Sequence, residues 1–176
     1  MSEPVVPVFD QPACDAPRRK LVIICSKGNL DMAYPGLILG QAALGEGIET
    51  HLFFTFWGLD MVIKKRMANL KFTMLANTAM HLPAAPNMPI PAVMGAIPGM
   101  TRMATAMMRR QIADLDVPTV PELLTQIVEM GGHMWACRMS FDMMNIVEAD
   151  LFDGVEAVIS ATDFMEKSEG AQIIFI

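Results

Sequence analysis

The sequence predicts an α/β protein, a five-stranded and mainly parallel sheet flanked by helices on both faces. Two observations carry that expectation. Short apolar runs recur at "KLVIICS" (20–26), "IETHLFFTF" (48–56), "HMWAC" (133–137), "GVEAVIS" (154–160) and "AQIIFI" (171–176). The first of them is continuous rather than alternating, the pattern of a strand buried on both faces. Segments with helical spacing separate the runs, and that alternation implies a three-layer, Rossmann-like sheet with right-handed crossovers.

Residues 1–19, "MSEPVVPVFDQPACDAPRR", hold four prolines and no sustained period, so a flexible tail is expected there, with Cys14 incidental to it. Residues 20–176 then read as one domain, long enough to bury a core without metals or disulfides. After the first strand, "LDMAYPGLILGQAALGEG" (30–47) predicts a helix that starts late or bends at Pro35 and ends at Gly45 and Gly47. The second strand leaves through Trp57 and Gly58 into a helix expected over 58–70.

Residues 72–101 contain no Asp, Glu, Lys or Arg, a length that could span a bilayer. Five prolines between Pro83 and Pro98 argue against a continuous membrane helix, because each removes a donor that lipid cannot replace. An ordered Met- and Pro-rich excursion is expected, covering a site or packing on another subunit. Contact with a membrane surface is the weaker alternative.

The helix expected over 101–114 sets Met100, Met103 and Met107 along one face, the spacing of a packing seam. In the next, 119–132, Thr119 and Glu122 fit a capping box, Pro121 lies in the first turn and Gly131–Gly132 stop the helix. Helices over 141–151 and 161–169 separate the last three strands.

A formal charge of −6 and the absence of a basic stripe exclude nucleic acid as the main partner. Cysteines at 14, 25 and 137 form neither a metal spacing nor a disulfide framework. With no signal peptide pattern at the N-terminus, a reducing cytoplasm is the expected compartment. The 18 methionines suit adaptable cores and interfaces.

Sites in such sheets form beyond the carboxyl ends of the strands. The loops there carry no Gly-rich phosphate cradle, no nucleophile elbow and no Cys-x-x-Cys, and His51, His81 and His133 fit no metal spacing, so no cofactor and no metal are expected. What remains is Cys137, at a strand–helix junction. Amides of the helix start and the neighbouring Arg138 would favour its thiolate, and Ser140 or Asp142 would hold the loop. Position alone leaves Cys137 open between a reactive thiolate and a buried structural thiol. Cys25, inside an apolar run, reads mainly as core, with a resolving or sulfur-sharing role as the alternative.

"SKGNLDMAYPGLILGQAA" (26–43), "FFTFWGLD" (53–60), "PNMPIPAVMGAIPGM" (86–100) and "ACRMSFDMMNI" (136–146) resemble the DsrE/DsrF-like proteins, in the DsrE-like, peroxiredoxin-labelled branch of sulfur-oxidising prokaryotes. The resemblance covers 20–176. It implies homo-oligomers, trimers or tetramers, and a cofactor-free sulfurtransferase or sulfur carrier. The sulfane sulfur would sit as a persulfide on Cys137 and exchange with a small TusA-like carrier and with sulfur-oxidation enzymes. Arg138 departs from the small polar residue expected after the cysteine. The second cysteine of some relatives has no secure counterpart here, and Cys25 falls at a position that is commonly not cysteine in the family, so the resemblance gives it no role. The alternative is a non-catalytic sulfur-binding or scaffold protein that docks sulfur-oxidation enzymes.

Overall fold

Strand β1 (Lys20–Cys25), helix α1 (Leu30–Gly45) and strand β2 (Glu49–Phe54) open the fold as the sequence predicts. The computed structural model describes residues 19–73, 81–82, 85–89 and 96–176, the two short stretches by their backbone. The expected tail up to residue 18 and half of the 72–101 excursion lie outside the described residues. Within that region β3 (His81–Leu82) pairs antiparallel with β4 (Ala85–Pro89). Helix α1 begins at Leu30, with Pro35 accommodated inside it rather than delaying its start.

After β2 the expected helix over 58–70 is absent. Two 3-10 stretches, Phe56–Val62 and Met67–Asn69, replace it. The reason lies in the burial pattern: Gly58, Leu59, Met61, Val62, Ile63 and Met67 are all buried, which is no single helical stripe. Ile63 instead bridges to Leu151, and Lys64 N–H donates to the Asp150 carbonyl at 2.8 Å.

Helices α2 (Met100–Asp114) and α3 (Val120–Glu129) follow. At the start of α3 the Glu122 carboxylate accepts from the Thr119 N–H and hydroxyl, each at 2.7 Å. Gly131, at φ 85, ends it. Strand β5 (His133–Cys137) runs directly into α4 (Arg138–Met143), three residues earlier than the predicted helix start and much shorter than it. Asn145 at φ 50 stops α4, with Ile146 N–H donating to the Phe141 carbonyl at 3.1 Å. That pair of features is a Schellman stop, so a 3-10 turn (Glu148–Asp150) stands where the helix was expected. Strand β6 (Ala157–Ile159), α5 (Ala161–Lys167) and β7 (Gln172–Phe175) close the chain.

The five long-range strands form one parallel sheet in the order β6-β5-β2-β1-β7. One face carries Ile23, Leu52, Phe54, Met134 and Ala136 against Leu37 of α1 and Leu123, Leu124 and Ile127 of α3. The other carries Val22, Phe53, Trp135, Cys137 and Ile159 under Phe164 of α5, whose ring stacks on Phe53 at 4.3 Å. Burial of such side chains is worth roughly 1.5–3 kcal/mol each. The α/β sheet with helices on both faces is therefore the observed architecture. Among the described residues no helix is long and apolar enough to cross a membrane.

Candidate functional site

Cys137 is the last residue of β5, with φ −73 and ψ 121, and α4 begins immediately after it. The β2–β5 register pairs Phe54 with Ala136, so the next residue on each strand places Thr55 beside Cys137. Ser140, fully buried in the first turn of α4, ties the two strand ends together. Its hydroxyl accepts from Phe56 N–H at 2.9 Å and lies 3.2 Å from the Thr55 hydroxyl. That bond fixes Phe56 at φ 46, a left-handed conformation that costs a non-glycine residue about 1–2 kcal/mol.

The Cys137 side of this junction is only 8% exposed. Burial by itself pushes the thiol up, because it disfavours the charged form. Hydrogen bonding from Ser140 N–H, the Thr55 hydroxyl, the Ser140 hydroxyl and Met139 N–H outweighs burial and holds the thiol below its ordinary range. The hydroxyls of Thr55 and Ser140 and the amides of Met139 and Ser140 thus act against burial at a sulfur packed among apolar side chains. The arrangement favours thiolate, the nucleophilic form of cysteine, without a metal or a neighbouring base.

Arg138 stands next to Cys137 in sequence but its guanidinium is directed elsewhere. It donates to the Val158 carbonyl at 3.3 Å, lies 3.9 Å from Asp142 and sits 5.6 Å from the centre of the Phe141 ring. The thiolate is stabilised by hydroxyls and amides instead.

Cys25 and Cys137 do not meet. β2 stands between their strands, and Cys25 belongs to the opposite face of the sheet, packed against α1. It is 2% exposed, and a Cβ added at Gly36 would lie 3.2 Å from its sulfur. Burial pushes its thiol up to about 12. The two cysteines share the carboxyl end of the sheet but not a face, which no reading of spacing along the chain could reveal.

His51 and His133 lie on the Cys137 face, toward the opposite end of the strands, stacked at 4.7 Å. His51 Nε2 bonds Glu49 at 2.7 Å, and His133 Nδ1 bonds Glu156 at 2.5 Å. Among the described residues no group of His, Cys, Asp or Glu is placed to hold a metal ion.

Sequence reasoning singled out Cys137 and Ser140 but missed Thr55. Its signal was present, a lone hydroxyl in the aromatic run "FFTFWG", yet its partner became visible only once β2 and β5 were neighbours.

A model of the DsrE/DsrF/DrsH-like family matches residues 17–176. The chain is 37% identical over 159 residues to the sulfur carrier protein DsrE2 of Allochromatium vinosum, covering 90% of this chain and 99% of that one. It is 24% identical over 160 residues to the uncharacterized protein YrkE of Bacillus subtilis, covering 90% and 97%. Among solved structures it is similar to the ychN protein from E. coli, with TM-score 0.53 at 12% identity over 90% of this chain and 99% of that one. The Methanobacterium thermoautotrophicum protein MTH1491 is similar at TM-score 0.51 and 12% identity, with the same coverage. Both structural likenesses concern the fold.

Proposed function

The chain belongs to the DsrE/DsrF/DrsH-like family, and from that premise we propose that it is a sulfur carrier holding sulfane sulfur as a persulfide on Cys137. The observation that carries this reading is the hydroxyl- and amide-lined thiolate site in an otherwise apolar pocket. A thiol held below its ordinary range offers more thiolate, and thiolate attacks sulfur through a simple displacement.

The Cys137 thiolate attacks the terminal sulfur of a donor R–S–SH. A new S–S bond forms at Cys137, the donor S–S bond breaks, and the donor's inner sulfur leaves as a thiolate. The proton stays on the transferred sulfur, so the product is Cys137–S–SH and the exchange is redox-neutral. The reverse step hands the sulfur to an acceptor thiolate. Thr55, Ser140 and the amides of Met139 and Ser140 hold the negative charge on Cys137 when it attacks and when it is regenerated. The proposed exchange partner is a small TusA-like carrier of dissimilatory sulfur oxidation in the cytoplasm. Self-association belongs to the same reading, supported by the apolar outward side of α1, where Ile38 and Leu39 are 46% and 44% exposed.

The test is intact mass after incubation with polysulfide or a persulfidated carrier. The wild type is expected to gain one sulfur atom per chain, and Cys137→Ser none. A wild type without the adduct, or a Cys137→Ser protein that still gains it, would overturn the reading.

A further inference from the structure

We infer that the Phe56–Trp57 turn, with Met139 and Met143 of α4, is the surface on which the carrier protein docks, and that this partner is acidic around its own sulfur-bearing cysteine. The inference rests on the sulfur-carrier reading and adds to it where, and by what chemistry, the partner is recognised.

Four large apolar side chains are exposed on the segments that frame Cys137. Phe56 is 43% exposed, Trp57 63%, Met139 60% and Met143 54%. Single exposed apolar residues mean nothing, but aromatic residues and methionine gathered at one place mark interface cores. Phe56 is tethered to Ser140, and Met139 and Met143 are one helical turn apart on the same short helix. The strained φ of Phe56 turns the chain so that two successive aromatic side chains reach solvent. Strain of this kind persists where function needs it.

Access to the sulfur points the same way. Cys137 is recessed to 8% exposure, so a partner reaches it only by laying its own cysteine against this rim. The rim also has a charge. Trp57 lines a cleft of about 520 Å³ together with Gly28, Asn29, Arg66 and Lys71. Arg66 is paired with Asp60 at 2.7 Å, whereas Lys27 and Lys71, both exposed, are in no ion pair among the described residues. Arg138 has only Asp142 at 3.9 Å. In a chain of net charge −6, Lys71 in the cleft beside Trp57, and Lys27 next to Gly28 of that cleft, are cations without an ion pair among the described residues, and they select an acidic complement.

The experiment measures binding of a TusA-like carrier to Cys137→Ser, which cannot exchange sulfur, by titration calorimetry, alone and combined with Trp57→Ala or with Lys27→Glu and Lys71→Glu. Trp57→Ala is expected to weaken binding at least roughly tenfold. The double charge reversal should weaken it and flatten its salt dependence. In the Cys137 background, loading of Trp57→Ala by inorganic polysulfide should stay within about twofold of wild type, since the side chain is absent from the thiolate's hydrogen bonds. Unchanged binding by Trp57→Ala, an equal loss of polysulfide loading, or no binding of the carrier at all overturns the docking surface. A wild type that binds the carrier through Trp57 yet takes up no sulfur leaves the surface standing and overturns the sulfur-carrier reading instead.

Discussion

The hydroxyl of Thr55, just past β2, and that of Ser140, in the first turn of α4, act on one sulfur, and they are separable by mutation. Ser140→Ala keeps the amide that faces Cys137 but removes a hydroxyl bond to the sulfur and the acceptor for Phe56 N–H. Thr55→Val removes one hydroxyl and preserves shape. Both variants should raise the Cys137 pKa, so alkylation at about neutral pH slows and its pH midpoint moves up. Ser140→Ala should also lower stability by about 1 kcal/mol, because the part-buried Phe56 N–H loses its acceptor. Thr55→Val should cost less. The measurement is iodoacetamide alkylation against pH, read by mass, beside urea unfolding. An unshifted profile in both variants would contradict the hydrogen-bonded thiolate. Cys25 serves as the internal control, expected to remain unmodified in the folded protein because it is buried, with its thiol pushed up to about 12.

The elements show what can and cannot be read from one chain. β1, β2 and β5, with helices α1 and α3, were legible because burial leaves apolar runs between segments of helical spacing. Cys137 was legible as a candidate because a strand end next to a helix start is a local feature. Thr55 was not, since its role depends on β2 and β5 being neighbours. The stretch after β2 failed for a related reason: its apolar residues answer to two different walls, one behind Gly58 and one at Ile63, so no helical period describes them. The close approach at Gly58 makes a prediction at this scale. A Cβ there would lie 1.9 Å from the Cys25 carbonyl oxygen, which is backbone and cannot swing aside. Thr55 N–H donates to that same carbonyl at 3.0 Å. Gly58→Ala should therefore cost about 3 kcal/mol and displace Thr55, raising the Cys137 pKa as well. An alanine variant as stable as wild type in urea, with an unchanged alkylation profile, would refute that coupling between the two strand ends.

At the scale of the whole molecule, two buried groups outside the site, Cys25 and His51, are expected to make stability depend on pH. Cys25 keeps its proton to about 12 when folded, against an unfolded cysteine near ~8.5. A raised pKa contributes stability that is complete below the unfolded value and is lost as pH rises through the interval, by about 1.4 kcal/mol per unit. The acid limb belongs to His51. Burial first, then His133 and Lys20, lower its pKa against the opposing pull of Glu49. Its Nε2 bonds Glu49, its Nδ1 is buried without a partner among the described residues, and the rings of His133 and Trp135, both from β5, stack against it at 4.7 and 4.6 Å. Glu156 holds His133, and Lys167 lies 4.7 Å over the Trp135 ring, so among the described residues no further carboxylate is placed to accept a hydrogen bond from Nδ1. A lowered His pKa gives stability present above the unfolded value of ~6.5 and lost as pH falls below it. Urea midpoints at about pH 5.5, 7 and 9.5 separate the two contributions. His51→Gln, which retains a donor for Glu49 and does not titrate, should lose less stability than wild type on acidification. Cys25→Ala should lose less on the alkaline side, while Cys137→Ser, lacking a thiol of lowered pKa, should lose more. Parallel pH curves for wild type and all three variants would show that neither histidine burial nor the two oppositely perturbed thiols governs the stability of the fold.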